Sequence, residues 1–163
     1  DGNNQEWANT DHALFVGEKS QVQGTLRCSC DDKNVYFLVE VLDRSLLRGD
    51  YATVYLSPDD SKSLANGAKR IQVSMDGLKS TETYAGKWNS AEMGVEVKTY
   101  VCNDTNEDRI DNYGYIAEIS IPRSSLTISS GQVLVNFSIT DNKEEEAVSD
   151  VSSISRWIPV AGL

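Results

Sequence analysis

Histidine is almost absent from this 163-residue sequence, which contains His12 alone. Catalytic triads, cysteine–histidine pairs and histidine-rich zinc sites all need an imidazole beside other functional groups. Because His12 lies near the start of the chain in an expected loop, we predict none of these sites. Composition leaves open a glycosidase pair of two carboxylic acids, since Asp and Glu together number 25.

Long apolar runs and basic clusters are also missing. No stretch of the chain approaches the run of about 18 to 20 apolar residues that a membrane span needs. The 15 Lys and Arg residues are scattered among 25 Asp and Glu residues, and the formal net charge is −10. This balance argues against nucleic acid or an anionic membrane as the partner, because both are bound by clustered cations.

Cysteine is scarce and odd in number, with three residues. Cys28 and Cys30 lie two apart on a predicted strand, where a disulfide between them is geometrically difficult. Either one of them pairs with Cys102, or all three are reduced and partly buried. The chain also starts at polar residues, without a charged and then apolar leader, so we expect that a leader was removed or that this is a piece of a longer chain.

The clearest pattern lies in residues 114–141, where two segments alternate between apolar and other residues. From Tyr115 to Ile121 every second residue is apolar, and Pro122 ends the segment. The same period of two runs from Val133 to Thr140. This period is typical of strands that bury one face.

Other segments alternate in the same way and are separated by turn residues, such as those at 31–34 and Asp76-Gly77. The further predicted strands are Val22–Cys30, Val35–Leu42, Asp50–Ser57, residues 70–75 and residues 95–101.

Loops and a little helix complete the prediction. A short edge strand is expected within residues 1–20, and residues 142–155, which contain three consecutive Glu residues, are predicted to be a solvated loop. The helical content is one turn at Arg123–Leu126. About eight or nine short strands indicate a single all-β domain over residues 1–163, a two-sheet antiparallel sandwich of the immunoglobulin or jelly-roll type.

Polar side chains follow the non-core face of three predicted strands. They are Tyr51, Thr53 and Tyr55; Arg70, Gln72 and Ser74; and Asn136, Ser138 and Thr140. Hydroxyl, amide and guanidinium groups can bind sugar hydroxyls, while aromatic planes cover the apolar face of a sugar ring. An antiparallel sheet also presents a polar face to water without any ligand. Both interpretations stay open.

The three tryptophans have two candidate roles. Trp88 and Trp157 can each stack on a sugar ring or pack structurally, and Arg156 beside Trp157 adds a hydrogen-bond donor. Trp7 is expected to be buried.

Acidic and amide side chains suggest two cation sites. Asp104, Asn106, Asp108 and Asp111 resemble the start of a calcium loop, although Arg109 and Tyr115 replace the glycine and glutamate of the helix-loop-helix type. A second group, Asp43, Asp50, Asp59 and Asp60, can gather at one end of a sheet. Calcium at either place would hold loops, and a solvated turn is the alternative for the first.

An ordered set of motifs spans nearly the whole chain. It comprises Asp1-Gly2, Glu6-Trp7, Asp31–Asp43, Asp50–Leu56, Lys87–Ser90, Gly114–Pro122, Val135–Phe137 and Trp157–Leu163. In this order the motifs resemble carbohydrate-binding module family 9 and its relatives. The resemblance implies a β-sandwich related to the DOMON group, no catalysis, sugar binding on one sheet face and often structural calcium. It also implies attachment to bacterial polysaccharide-degrading enzymes.

The family's sugar-binding residues match this sequence in part. Arg70 stands at the position of the family arginine, whereas Thr53 and Ser138 replace its glutamate and glutamine. Leu47 or Arg48 replaces the first clamp tryptophan, and Trp157 matches either a structural tryptophan or the second clamp.

We therefore predict a secreted, periplasmic or cell-surface module that binds oligo- or polysaccharide weakly and has no enzymatic activity. The predicted ligand-binding residues are Arg70, Gln72, Tyr55, Asn136, Ser138, Trp157 and Trp88. The first alternative is a structural spacer packed on a catalytic domain, with Leu46 and Leu47 at the surface. A haem site like that of some DOMON relatives is a weaker alternative, since Met75 is expected to face the core.

Overall fold

Two antiparallel β-sheets form the protein. The computed structural model describes residues 7, 13–17, 22–43, 46–58, 64–103, 113–128, 133–143, 146–152 and 158–159. The strands are β1 (Ala13–Gly17), β2 (Val22–Cys30), β3 (Asn34–Asp43), β4 (Tyr51–Ser57), β5 (Lys69–Ser74), β6 (Gly77–Tyr84), β7 (Trp88–Ser90), β8 (Glu96–Asn103), β9 (Tyr113–Pro122), β10 (Leu134–Lys143), β11 (Glu146–Ser152) and β12 (Ile158–Pro159).

The strand order differs between the two sheets. The five-stranded sheet has the order β1-β2-β3-β9-β8. The seven-stranded sheet has the order β11-β10-β4-β5-β6-β7, and β12 also pairs with β10. The predicted all-β sandwich is therefore confirmed, although the described residues contain more strands than the pattern predicted.

The core lies between the sheets because the alternating apolar residues of both point inward. Phe37 and Ile119 belong to the five-stranded sheet, whereas Val54, Ile71 and Phe137 belong to the seven-stranded sheet, and all five are buried. Burying such side chains contributes about 1.5–3 kcal/mol each, so these contacts dominate the attraction between the sheets.

Two contacts fix how the sheets face each other. The Tyr115 hydroxyl on β9 donates a hydrogen bond to the Val73 carbonyl on β5 over 3.2 Å. Gly24 on β2 leaves no room for a side chain, because a Cβ atom there would collide with Ile139 and lie 3.0 Å from Phe137 Cε1 on β10. The two sheets therefore lie in close contact at this glycine.

The turn between β2 and β3 has the predicted chemistry. Asp31 Oδ1 accepts hydrogen bonds from the backbone N–H groups of Lys33 at 2.8 Å and Asn34 at 2.7 Å. The Tyr36 hydroxyl donates to the other carboxylate oxygen. These hydrogen bonds to the ionised form, those of the backbone first, lower the pKa of Asp31.

Two sequence interpretations were wrong or incomplete. Residues 142–155 were predicted to be a solvated loop, but β10 continues to Lys143 and Glu146–Ser152 forms β11 beside it. Backbone hydrogen bonds along an edge strand tolerate polar side chains, so composition alone misidentified this segment. The β6 strand was not predicted either.

The remaining local predictions fit the fold. Residues Arg123–Ser125 form a 3₁₀ helix after β9, at the place where the sequence predicts a helical turn. The three cysteines are all in the described part of the chain and form no disulfide with one another. Trp7 is buried, as expected. No helix in the described ranges is long and apolar enough to cross a membrane.

Candidate functional site

The outer surface of the seven-stranded sheet carries the predicted polar residues. Asn136 on β10 lies opposite Tyr55 on β4, and Tyr55 lies opposite Arg70 on β5. The same row continues to Glu82 on β6 and Ser90 on β7. Strand pairing therefore brings together residues that are far apart in sequence, and it adds Glu82, which the sequence analysis did not select.

Arg70 is held from two sides. Its Nε donates to Glu82 Oε2 in an ion pair, and its guanidinium lies 4.6 Å from the centre of the Trp88 ring. The Arg70 and Glu82 side chains are 23% and 19% exposed, so the pair is partly protected from water but reachable. The ion pair uses Nε, whereas the terminal amino groups of a guanidinium carry four further N–H donors.

Aromatic rings surround this arginine. Trp88 on β7 makes an edge contact with Tyr84, with ring centres 5.3 Å apart, and lies 6.3 Å from the Tyr55 ring. We call Tyr55, Arg70, Glu82, Tyr84 and Trp88 the arginine–aromatic cluster. Each of the five is only partly buried. The cluster thus combines apolar ring surface with charged hydrogen-bonding groups at one accessible place.

A second row of polar side chains lies beside the cluster. Ser138, Thr53, Gln72 and Ser80 are opposite one another on β10, β4, β5 and β6. The Ser80 hydroxyl donates to Gln72 Oε1 over 2.7 Å, and Gln72 Nε2 donates to Thr53 Oγ1 over 3.4 Å. Gln72 is therefore held in place and remains partly accessible.

The β10 side of this surface is covered. Asn136 is 1% exposed and Ser138 is 5% exposed. Asn136 Oδ1 accepts a hydrogen bond from the backbone N–H of Phe137, and the Ser138 hydroxyl donates to the Tyr55 hydroxyl over 3.4 Å. These two predicted residues therefore expose almost no surface to a ligand, and the accessible side chains are Tyr51 and Tyr55 on β4 together with neighbours on β5, β6 and β7.

The remaining predicted residues have different placements. Trp88 lies on the outer surface rather than in the core. Trp157 lies outside the described residues, so its role stays a prediction. Leu46 and Leu47 are partly buried, and Leu46 packs on the core. Met75 also packs against the core, as expected, and His12 is outside the described ranges.

Three buried carboxylates meet at one end of the sandwich. Asp43, Asp50 and Asp141 are each at most 3% exposed, and one ligand atom from each lies within 4.8 Å of the others. At an effective dielectric constant of about 20, two unit charges at this distance repel by about 3.5 kcal/mol. Backbone N–H groups of Leu47 and Asn142 donate to Asp50 at 2.5 and 2.8 Å, which orients its carboxylate.

This acidic cluster fits the calcium that the family resemblance implies, because Ca²⁺ prefers carboxylate oxygens. Asp43 and Asp50 belong to the second predicted cation group, whereas Asp141 was not selected and Asp59 and Asp60 lie outside the described residues. The other predicted site, Asp104, Asn106, Asp108 and Asp111, also lies outside them.

The acidic cluster affects a neighbouring phenol. Burial raises the pKa of Tyr115 well above its usual value, and the negative charges of Asp50 and Asp43 raise it further. The Tyr115 hydroxyl therefore stays protonated and keeps its hydrogen bond to β5 at ordinary pH.

Comparison with known proteins identifies the family. The family model described as "Carbohydrate family 9 binding domain-like" matches residues 3–158. The chain belongs to this family. A curated relative, endo-1,4-beta-xylanase C of Paenibacillus barcinonensis, is 28% identical over 121 residues. That match covers 74% of this chain and spans 10% of the length of the xylanase.

Solved structures of the same family share the fold. A carbohydrate binding module family 9 from Caldicellulosiruptor kristjanssonii in complex with cellotriose has a TM-score of 0.65 and is 16% identical, over 93% of this chain and 76% of that chain. The module from the same organism in complex with glucose has a TM-score of 0.64 and is 17% identical, over 93% and 78%. At these identities the likeness establishes the sandwich and not the sugar site.

Proposed function

We propose that this family 9 chain is a non-catalytic module that binds β-linked gluco-oligosaccharides on the outer surface of its seven-stranded sheet. The arginine–aromatic cluster carries the proposal. A guanidinium fixed by Glu82 and the Trp88 ring can donate to sugar hydroxyls without first being ordered, which lowers the entropic cost of binding. The neighbours with bound cellotriose and glucose support this ligand class.

Each accessible residue has a distinct role in this proposal. Arg70 donates hydrogen bonds to hydroxyls, and Gln72 adds amide donors and acceptors. Tyr55 and Trp88 provide aromatic surface beside the guanidinium, and Glu82 positions Arg70. One face of Trp88 already contacts Arg70, so Trp88 contributes ring edge and orientation rather than an open plane on both sides.

Titration calorimetry with glucose, cellobiose and cellotriose tests this function. We expect dissociation constants of about 10 to 1000 μM, since one aromatic contact contributes on the order of 1 kcal/mol. Arg70→Ala should weaken binding about tenfold or more, whereas Arg27→Ala on the five-stranded sheet should leave it unchanged. Unchanged binding in Arg70→Ala would remove Arg70 from the site.

A calcium ion is a structural part of the proposal. Asp43, Asp50 and Asp141 would hold it, and its charge would cancel the repulsion among the carboxylates. Asp43 ends β3 in one sheet, while Asp50 precedes β4 and Asp141 lies on β10 in the other. The ion would therefore tie the two sheets together at this end of the sandwich.

We further propose that the chain belongs to a longer, secreted polysaccharide-processing protein, as its short match within a xylanase suggests. The alternative role as a spacer has one specific observation in its favour. Phe15 and Leu42 are 59% and 51% exposed on the outer surface of the five-stranded sheet. Absence of binding to any tested sugar at millimolar concentration would favour the spacer.

A further inference from the structure

A second pairing of a cation with an aromatic ring lies on the same outer surface as the arginine–aromatic cluster. Lys79 Nζ is 4.3 Å from the centre of the Tyr51 ring. Tyr51 lies on β4, four residues before Tyr55. Because side chains alternate along a strand, Tyr51 and Tyr55 project from the same face, away from the core.

A β-bulge explains why Lys79 reaches this face. Gln72 pairs with Ser80 and Val73 pairs with Leu78, so Lys79 is the extra residue on β6. Bulges change the direction of a side chain and often occur beside functional sites. Lys79 is exposed and Tyr51 is partly accessible, so a ligand can reach both.

The two aromatic ends are separated by an ordered polar stretch. Four residues of strand span about 13 Å, which is the approximate separation of Tyr51 from Tyr55. Between the two ends, Ser80 donates to Gln72 and Gln72 donates to Thr53. The surface therefore runs from an aromatic end through amide and hydroxyl groups to another aromatic end.

This separation exceeds the width of one pyranose ring. A monosaccharide at the arginine–aromatic cluster cannot contact Tyr51, whereas a linear chain lying along β5, over the partly accessible Gln72, can contact both ends. Hydroxyls of the intervening sugar would then face Gln72 and Ser80, which present donors and acceptors.

We propose that the outer surface is an elongated site for a linear oligosaccharide, with Tyr51 and Lys79 forming a second subsite. The inference rests on the proposed sugar binding and adds to it the extended length of the ligand. At the second subsite Tyr51 covers the apolar face of a sugar ring, and the Lys79 ammonium donates to its hydroxyls. An exposed cation–aromatic pair is held weakly, so Lys79 can move aside as the sugar stacks.

Calorimetry on the full chain with glucose, cellobiose, cellotriose and cellotetraose tests the second subsite. In the wild type, affinity should rise with the length of the oligosaccharide. The contact of the longest chain with Tyr51 should raise the affinity about fivefold. Tyr51→Ala should lower cellotetraose affinity by about fivefold and leave glucose affinity unchanged. Tyr51→Phe, which keeps the ring, should retain most of the wild-type affinity for the longer chain.

Two further variants keep the test decisive. Tyr100→Ala removes a similarly half-buried tyrosine from the five-stranded sheet and should alter no affinity. Lys79→Ala changes an exposed residue, so it should fold even if Tyr51→Ala does not, and it should weaken cellotetraose binding about twofold without affecting glucose. Arg70→Ala should weaken binding of every length.

Different failures refute different proposals. Equal affinity for all lengths, or unchanged cellotetraose binding in both Tyr51→Ala and Lys79→Ala, would refute the second subsite while leaving sugar binding intact. Absence of binding to every length would refute the proposed function, and the second subsite with it.

Discussion

The ion pair between Arg70 and Glu82 should affect both stability and sugar binding. Glu82→Gln keeps the size of the side chain and removes the charge that holds the guanidinium. Arg70 would then sample other rotamers over the Trp88 ring, so its donors would have to be ordered when sugar binds. We expect Glu82→Gln to weaken binding less than Arg70→Met, because the guanidinium itself remains.

The size of the effect follows from the partial exposure of the pair. Charge-assisted hydrogen bonds contribute about 1.5–3 kcal/mol when protected, and exposed ion pairs contribute about 0–1 kcal/mol. With about a fifth of each side chain exposed, an intermediate coupling of about 1–1.5 kcal/mol is expected. Loss of guanidinium ordering should weaken sugar binding about threefold to tenfold.

A double-mutant cycle measures the coupling directly. Wild type, Arg70→Met, Glu82→Gln and the double variant are unfolded in urea, and each is titrated with cellotriose. The matched control is the cycle of Arg27 and Glu40 on the five-stranded sheet, whose charged atoms are 3.9 Å apart and whose side chains are 31% and 26% exposed. That cycle should give at most about 0.5 kcal/mol and no change in binding.

Two results would refute this reasoning. A coupling as small as that of the control pair would mean that solvent screens the Arg70 ion pair. Wild-type affinity in Glu82→Gln would mean that Glu82 does not position Arg70 for sugar.

Three further predictions concern the sandwich itself. Calcium at a hundred times its dissociation constant should stabilise the fold by about 2.7 kcal/mol and raise the melting temperature by about 5–10 °C. In calorimetric scans, EDTA or the substitution Asp141→Asn should abolish this rise. An equal rise in the variant would exclude Asp141 as a calcium ligand. The pKa of Tyr115 is higher in the folded chain than in the unfolded chain. The stabilisation that its protonated hydroxyl gives the fold is therefore complete below about pH 10 and is lost as the pH rises above that value. In urea unfolding at pH 8, Tyr115→Phe should lower the free energy of unfolding by about 1 kcal/mol. Between pH 8 and pH 11 the variant should lose less stability than the wild type, and an equal loss in both proteins would contradict the raised pKa of Tyr115. Gly24→Val should lower stability by about 1–3 kcal/mol through collision with Ile139, and a stability equal to that of wild type would show that the sheets can separate without cost.

Strand periodicity predicted the sheets where one face is apolar. It identified β2, β4 and β9 closely, because alternate side chains in these strands enter the core. It missed β6, whose inward residues Thr81 and Thr83 instead donate hydrogen bonds to the carbonyls of Ala91 and Ala68. Because the inward side chains of β6 are threonines rather than apolar residues, its sequence shows no hydrophobic alternation.

The missing strand had a consequence for the site. Glu82, Tyr84 and Lys79 all belong to β6, so the partner of Arg70, one aromatic neighbour and the second cation were overlooked. Likewise, Asp141 lies 91 residues after Asp50 in the sequence and meets it only because β10 pairs with β4. No local spacing signals such a contact.

The local residue pattern was enough to predict which face of most strands is apolar, where several turns lie and which family the ordered motifs resemble. It also selected Arg70, Tyr55, Gln72 and Trp88 as surface candidates. Strand pairing settled the rest: the β5–β6 hairpin placed Glu82 against Arg70, and the pairing of β10 with β4 placed Asn136 beside Tyr55 and brought Asp141 to Asp50. The contacts between β10 and β4 join residues far apart in sequence, so they form only when the strands of the seven-stranded sheet have assembled.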